Sequence, residues 1–186
     1  MGILEPHGRS RSPFRPNAIE RRGLRSSGGA TAIAAERQLQ RRDADPVVVV
    51  HTLAHAVGAL KAAACSARSV ILVSAADAGI YAGPGWFGAL VEAAREAVPE
   101  ARFSSLLDCG DRPGAALAAI RTRVEGVIFA GRDDVADRLA DIARRHGVGF
   151  VTARPAGGLD LGDEFFATEA ESRQFCADFL SRSGCL

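Results

Sequence analysis

At 186 residues the chain has room for one domain and a tail, and its 47% hydrophobic content suffices for a buried core although aromatics make up only 6%. A net charge of +1 argues against a dedicated nucleic-acid surface, and no run reaches the roughly 18 to 20 apolar residues that a membrane span needs. Four cysteines (65, 109, 176 and 185) form no C-x-x-C pair, which fits reduced thiols in a cytoplasmic protein better than a disulfide framework.

Residues 1–45 differ from everything after them, with nine arginines against five acids and few apolar side chains. Such a segment does not offset the entropy of ordering, so a disordered tail is expected, with a short helix over Ala30 to Gln40 at most. A basic arm for an anionic partner is the functional alternative, and a transit peptide is disfavoured by Glu5 and Glu20. The domain proper is read as residues 46–186.

From Pro46 a regular alternation begins. Val47 to Val50 is a β-branched run of the kind covered on both faces, ended by His51 and Thr52. Leu53, Val57, Leu60 and Ala64 follow at helical spacing. Ser69 to Ser74 predicts a second strand, Ala75 to Pro84 a glycine-bearing loop, and Phe87, Leu90, Val91, Ala94 and Val98 a helix stopped by Pro99. Arg102 to Asp108 is strand three, Leu117, Ile120 and Val124 mark helix three, and Gly126 to Ala130 is strand four. Asp133 to His146 is an amphipathic helix closed by Gly147, and Val148 to Thr152 is strand five. The stretch Arg154 to Gly162 reads as loop, and Glu169 to Arg182 as a last helix with Phe175, Phe179 and Leu180 inward. Five successive βα units predict an α/β fold with a five-stranded parallel sheet.

Such a sheet collects its chemistry at the carboxyl ends of its strands. His51, Thr52, Ser74, Asp108, Cys109, Gly131 and Arg154 all fall there. A carboxylate, a hydroxyl and a basic group on one rim suit a small oxygenated substrate, with Asp108 the candidate acid/base. Asp108 is equally suited to capping the next helix, and Cys109 to filling the core. A thiol beside a carboxylate is poorly placed for activation. His51 and His55 have the spacing of a metal-binding pair, although His51 precedes the helix and a structural role is the commoner one. Gly79, with Gly83 and Gly85, offers backbone amides to an anion without matching a P-loop or G-x-G-x-x-G.

Together these segments resemble the first part of the class II, metal-dependent fructose-bisphosphate aldolases, which are (β/α)₈ barrels. His51-Thr52-Leu53 stands where that family has an N-T/N-L-E-Q-like helix start, and Ser74 to Gly83 is similar to its S-x-G-A-x-x-Y-A-G loop. Leu107-Asp108-Cys109-Gly110 resembles L-D-H-G, Gly126 to Arg132 resembles S-V-M-I-D-G-S, and His146-Gly147-Val148 repeats an H-G-V. Asp163 to Phe175 is similar to the family's E-x-x-x-T-D-P-E-E-A-x-x-F segment. The resemblance implies a partial barrel with Asp108 in the place of the proton-donating aspartate. It puts Cys109 in the place of a zinc-ligating histidine, Ala130 in that of an acidic residue, and Ala153-Arg154-Pro155 in that of a glutamate-bearing stretch. Cys109 is then the one candidate metal ligand, short of the three or four that a zinc site needs. The expectation is a degenerate relative that binds a small, phosphorylated or unphosphorylated metabolite without aldolase cleavage, using His51, Thr52, Ser74, Gly79, Gly131 and Arg154. Two alternatives stay open: a lyase using Asp108 whose site is completed by a partner subunit, and an interaction module with a basic arm. Open sheet edges favour a homo-oligomer.

Overall fold

A computed structural model describes residues 45–183. The expectations for residues 1–44, including the helix over Ala30 to Gln40, lie outside the described residues. Six strands alternate with helices: β1 (Val47–Val50), α1 (Leu53–Cys65), β2 (Ser69–Ser74), α2 (Ala78–Tyr81), α3 (Gly83–Ala97), β3 (Arg102–Asp108), α4 (Pro113–Thr122), β4 (Gly126–Ile128), α5 (Asp133–His146), β5 (Gly149–Val151), β6 (Leu159–Asp160) and α6 (Glu169–Arg182). The sheet runs β5-β4-β3-β2-β1-β6 and every neighbour pair is parallel. The fold is therefore the α/β, parallel-sheet arrangement that the alternation predicts, consistent with the partial barrel that the resemblance implies, with all strands ending at one rim.

The sheet has six strands rather than five. β6 pairs Leu159 and Asp160 with Val48 and Val49, inside the stretch read as loop, and Leu161 N–H adds a bond to Val49 O at 3.2 Å. Two residues are too few to show a period, so pairing with a neighbour, not pattern, makes them a strand. The edge of β1 is thereby covered, and the sheet ends at β5 and β6. The loop expected over Ala75 to Pro84 also contains helix α2.

Side-chain alternation sorts the strands into two faces. Val48, Val50, Val70, Leu72, Leu107, Val127 and Phe129 pack with the helices in the main core. Val47, Val49, Ile71, Val73, Leu106 and Ile128 form a second cluster, built from strand residues alone, on the helix-free face. Each side chain so buried contributes about 1.5–3 kcal/mol, so both layers hold the strand ends in place.

Helices α1 and α6 meet where side chains are small. A β-carbon on Gly58 would stand 2.6 Å from Ser172 Cβ and 2.8 Å from the Arg173 nitrogen. This close approach decides which face of α6 turns in: Ser172, Cys176 and Leu180 are buried with Phe179 partly so, whereas Phe175 faces solvent, contrary to the expectation for it. Thr168 and Glu171 form a capping box at the start of that helix. Among the described residues no helix is long and apolar enough to cross a membrane.

Candidate functional site

Asp108 is the last residue of β3, and alternation after Ser104 and Leu106 turns it to the helix-free face. Its side chain is 9% exposed, and three donors converge on it. Oδ1 accepts from the Gly110 and Asp77 backbone N–H groups at 2.9 and 3.3 Å, and Oδ2 accepts from Arg154 Nη1 at 2.5 Å. Arg154 Nη2 donates to Ser74 O at 2.8 Å. Ser74 Oγ in turn accepts the Asp108 N–H at 2.9 Å and donates to Ala75 O. The ends of β2 and β3 and the loop after β5 are thus tied into one polar knot.

The knot depends on two unusual backbone positions. Asp77, whose N–H donates to Asp108, has φ 59°, in the left-handed region. Gly110 has φ 53°, in the left-handed region that favours glycine, and a β-carbon there would push aside the end of the Asp77 side chain, whose Oδ1 would lie 2.0 Å away. Tyr81, mostly exposed, borders the knot. Burial, and then the carboxylates of Asp77 and Asp108, push its phenol above the ordinary value, and Arg154 partly opposes them.

A second polar couple sits at the same rim. His51 Nε2 lies 2.7 Å from Asp160 Oδ1, which also accepts from Gly162 N–H at 2.8 Å. Burial raises the Asp160 carboxyl, but the hydrogen bonds from His51 and Gly162 outweigh it and hold it below the usual range. His55 does not face the rim. Its Nδ1 accepts from His51 N–H at 3.3 Å and its Nε2 donates to Glu164 O at 3.0 Å, which fixes the neutral tautomer. Burial is the main cause of its lowered pKa.

The structure brings Asp108, Ser74 and Arg154 into direct contact and sets His51 at the same sheet edge. Thr52 is the N-cap of α1, its Oγ1 accepting from His55 N–H at 3.2 Å. Gly79 is buried, and a β-carbon there would stand 2.6 Å from Cys109 Sγ, so close packing accounts for the glycine. Gly131 lies against the Phe129 ring. Cys109 points away from Asp108 into the helix-side core, and burial, helped by the Asp108 charge, pushes its thiol up to about 12. A cysteine that ligates zinc must be a thiolate open to the metal, and Cys109 is neither, so these residues do not fit the site that the aldolase resemblance implies. Among the described residues no three His, Cys, Asp or Glu side chains group to hold a metal. Asp77 and Asp160 are partners that the sequence reading misses. Asp160 sits in a Leu-Asp-Leu alternation that could have revealed it as the rim residue of a short strand.

Chemically, three of the roughly four lone-pair sites of Asp108 are taken, which suits it to holding structure more than to carrying protons. Arg154 is 31% exposed and uses two of its five N–H donors in the knot, so an oxyanion can take others.

A parallel sheet of successive βα units with its strand ends at one rim defines a partial-barrel class of α/β fold. No family model matches the chain, and no curated protein matches its sequence. Among solved structures it is similar to one described as a "putative fructose-1,6-biphosphate aldolase" from Coccidioides immitis, with TM-score 0.50 and 15% identity. The match covers 66% of this chain and 50% of that one, so this chain spans about half the length of its structural neighbour. At that identity the likeness shows the fold alone.

Proposed function

We propose that the protein is a degenerate aldolase-like binder of a small oxygenated metabolite, with Arg154 contacting an oxyanion at the rim and Asp108 positioning it. The observation that carries this reading is the Arg154–Asp108–Ser74 knot. It places a guanidinium with spare donors where barrel enzymes bind their substrates, and it commits the carboxylate to three donors. His51 and Asp160 form the second wall of the same rim. The enzymatic alternative uses Asp108 as general acid/base in a carbon–carbon lyase, with missing groups brought by a second subunit. Self-association through the ends of the sheet belongs to both readings, and light scattering that shows only monomer at micromolar concentration would remove it.

Thermal shifts across a panel of sugar phosphates and the parent sugars test the proposal. A ligand at about 100 times its Kd adds about 2.7 kcal/mol, or roughly 8 °C in Tm at this chain length. Arg154→Met should cancel the shift while Tyr81→Phe leaves most of it. If no compound shifts the wild type, the binding reading fails. If a sugar phosphate is cleaved and Asp108→Asn stops the cleavage, the lyase reading replaces it.

A further inference from the structure

Between β6 and α6 the chain walls a groove of about 410 Å³ lined by Asp163, Glu164, Phe165, Phe166, Glu171 and Phe175. Phe166 is 94% exposed, and Phe165 and Phe175 are exposed beside it. The Phe165 and Phe166 rings stand at 84° with centroids 5.3 Å apart, so they form an open corner. Phe165 is braced edge-on by His51 and His55. The backbone beneath is pinned as well. Glu164 N–H donates to Leu161 O at 3.2 Å, and Glu164 O accepts from Ala167 N–H at 2.8 Å and from His55 Nε2 at 3.0 Å. The corner is thus preformed, which lowers the ordering cost of whatever binds there.

Clustered exposed rings mark a contact surface, and the charges around them select its partner. Glu171 is committed to Thr168 in the capping box, and Glu169 pairs with Lys61. Asp163 and Glu164, by contrast, have no ion-pair partner among the described residues. Rings flanked by such carboxylates suit a guanidinium, which stacks flat on a ring and bonds a carboxylate with two donors at once. A quaternary ammonium has no N–H for the carboxylates, and a lysine ammonium has no plane to lay on the rings. Phe166 stands clear of the surface, so a small ligand seated inside the groove would leave most of its ring in water. A peptide crossing the groove covers it.

We propose that the Phe165–Phe166–Phe175 groove docks an arginine-bearing segment of a partner protein. Its guanidinium groups stack on the phenylalanine rings and pair with Asp163 and Glu164. The inference uses neither Arg154 nor Asp108, so it stands or falls separately from the metabolite reading.

A dye-labelled glycine–arginine peptide with two arginines, blocked at both ends, tests the docking by fluorescence anisotropy against the full chain. Binding should saturate at low salt and weaken about fivefold for the twin peptide with lysine in place of arginine. Phe166→Ala, and separately the Asp163→Asn, Glu164→Gln pair, should each weaken the arginine peptide about fivefold. Raising salt from about 0.1 M to 1 M should remove most of the binding. All three substituted side chains are exposed, so these variants keep the fold. A peptide that does not bind overturns the proposal. A lysine twin that binds as tightly overturns it too, because charge alone would then be at work. Unchanged binding to Phe166→Ala does the same, by placing the peptide elsewhere on the surface.

Discussion

Arg154 meets Asp108 across 46 residues of sequence, and the same guanidinium donates to the carbonyl of Ser74 on the neighbouring strand. One side chain from the loop after β5 therefore joins the carboxyl ends of β2 and β3. The consequence is energetic as well as chemical: without it a nearly buried carboxylate has only backbone donors.

Arg154→Met should destabilise the protein by about 2 kcal/mol. Breaking a buried ion pair costs more, but Arg154 is partly exposed and water softens the loss. Arg154→Lys should recover less than half, since an ammonium lacks the planar fork that serves Asp108 and Ser74 together. Urea unfolding measures both. Equal stability of all three proteins would show that the knot contributes nothing to the fold.

Gly79 and Cys109 form a tight pair at the base of that knot. Gly79→Ala should cost about 1–3 kcal/mol, because the new methyl would lie 2.6 Å from Sγ and 3.0 Å from Asp108 O. Cys109→Ala vacates the thiol's space, so the double variant should recover part of the loss. A double-mutant cycle with no coupling would contradict the contact.

How much of this was written in the sequence depends on the range of the interaction. The β-branched run Val47 to Val50 and the helix Asp133 to His146 announce themselves because their periodicity is local. Asp108 is visible because a carboxylate ends an apolar run just before a glycine. β6 is invisible, since two residues acquire strand character only by lying against β1. The left-handed turn at Asp77 carries no glycine to mark it. Phe175 misleads because its apolar character suggests an inward face, whereas the close approach of Gly58 to Ser172 turns a smaller face toward the core. The partnership of Arg154 with Asp108 is set by the meeting of strand ends, which no spacing along the chain encodes.

The thiols should separate by reactivity. Cys109 and Cys176 are buried, and burial pushes each up to about 12, while Cys65 is exposed. At pH 8 iodoacetamide should modify the exposed Cys65 and leave Cys109 and Cys176 intact until the chain unfolds. Peptide mapping after a short pulse distinguishes the sites. Rapid alkylation of Cys109 in the native protein would mean that the Gly79 contact opens easily.

Below neutrality His55 should govern stability. Its ring is buried, with Nδ1 accepting from His51 N–H and Nε2 donating to Glu164 O, so a second proton would remove an acceptor that the fold uses. Burial is the largest cause lowering its pKa from 6.5, and the Glu164 carbonyl only partly opposes it. Because the folded pKa lies below the unfolded one, the unfolded chain binds more protons between the two values. The stability that His55 contributes is therefore complete above about pH 6.5 and is lost as the pH falls from there toward the lower, folded pKa. Asp160, also held low, loses its contribution only further down, as pH falls below its ordinary 3.8. Urea midpoints recorded between pH 7.5 and 5 should fall for the wild type and stay flatter for His55→Gln, whose amide can donate to Glu164 but does not titrate. The variant should start lower at pH 7.5, by about 1–2 kcal/mol for the lost packing and hydrogen bonding. Parallel slopes for the two proteins would show that His55 does not control the acid side of the stability profile.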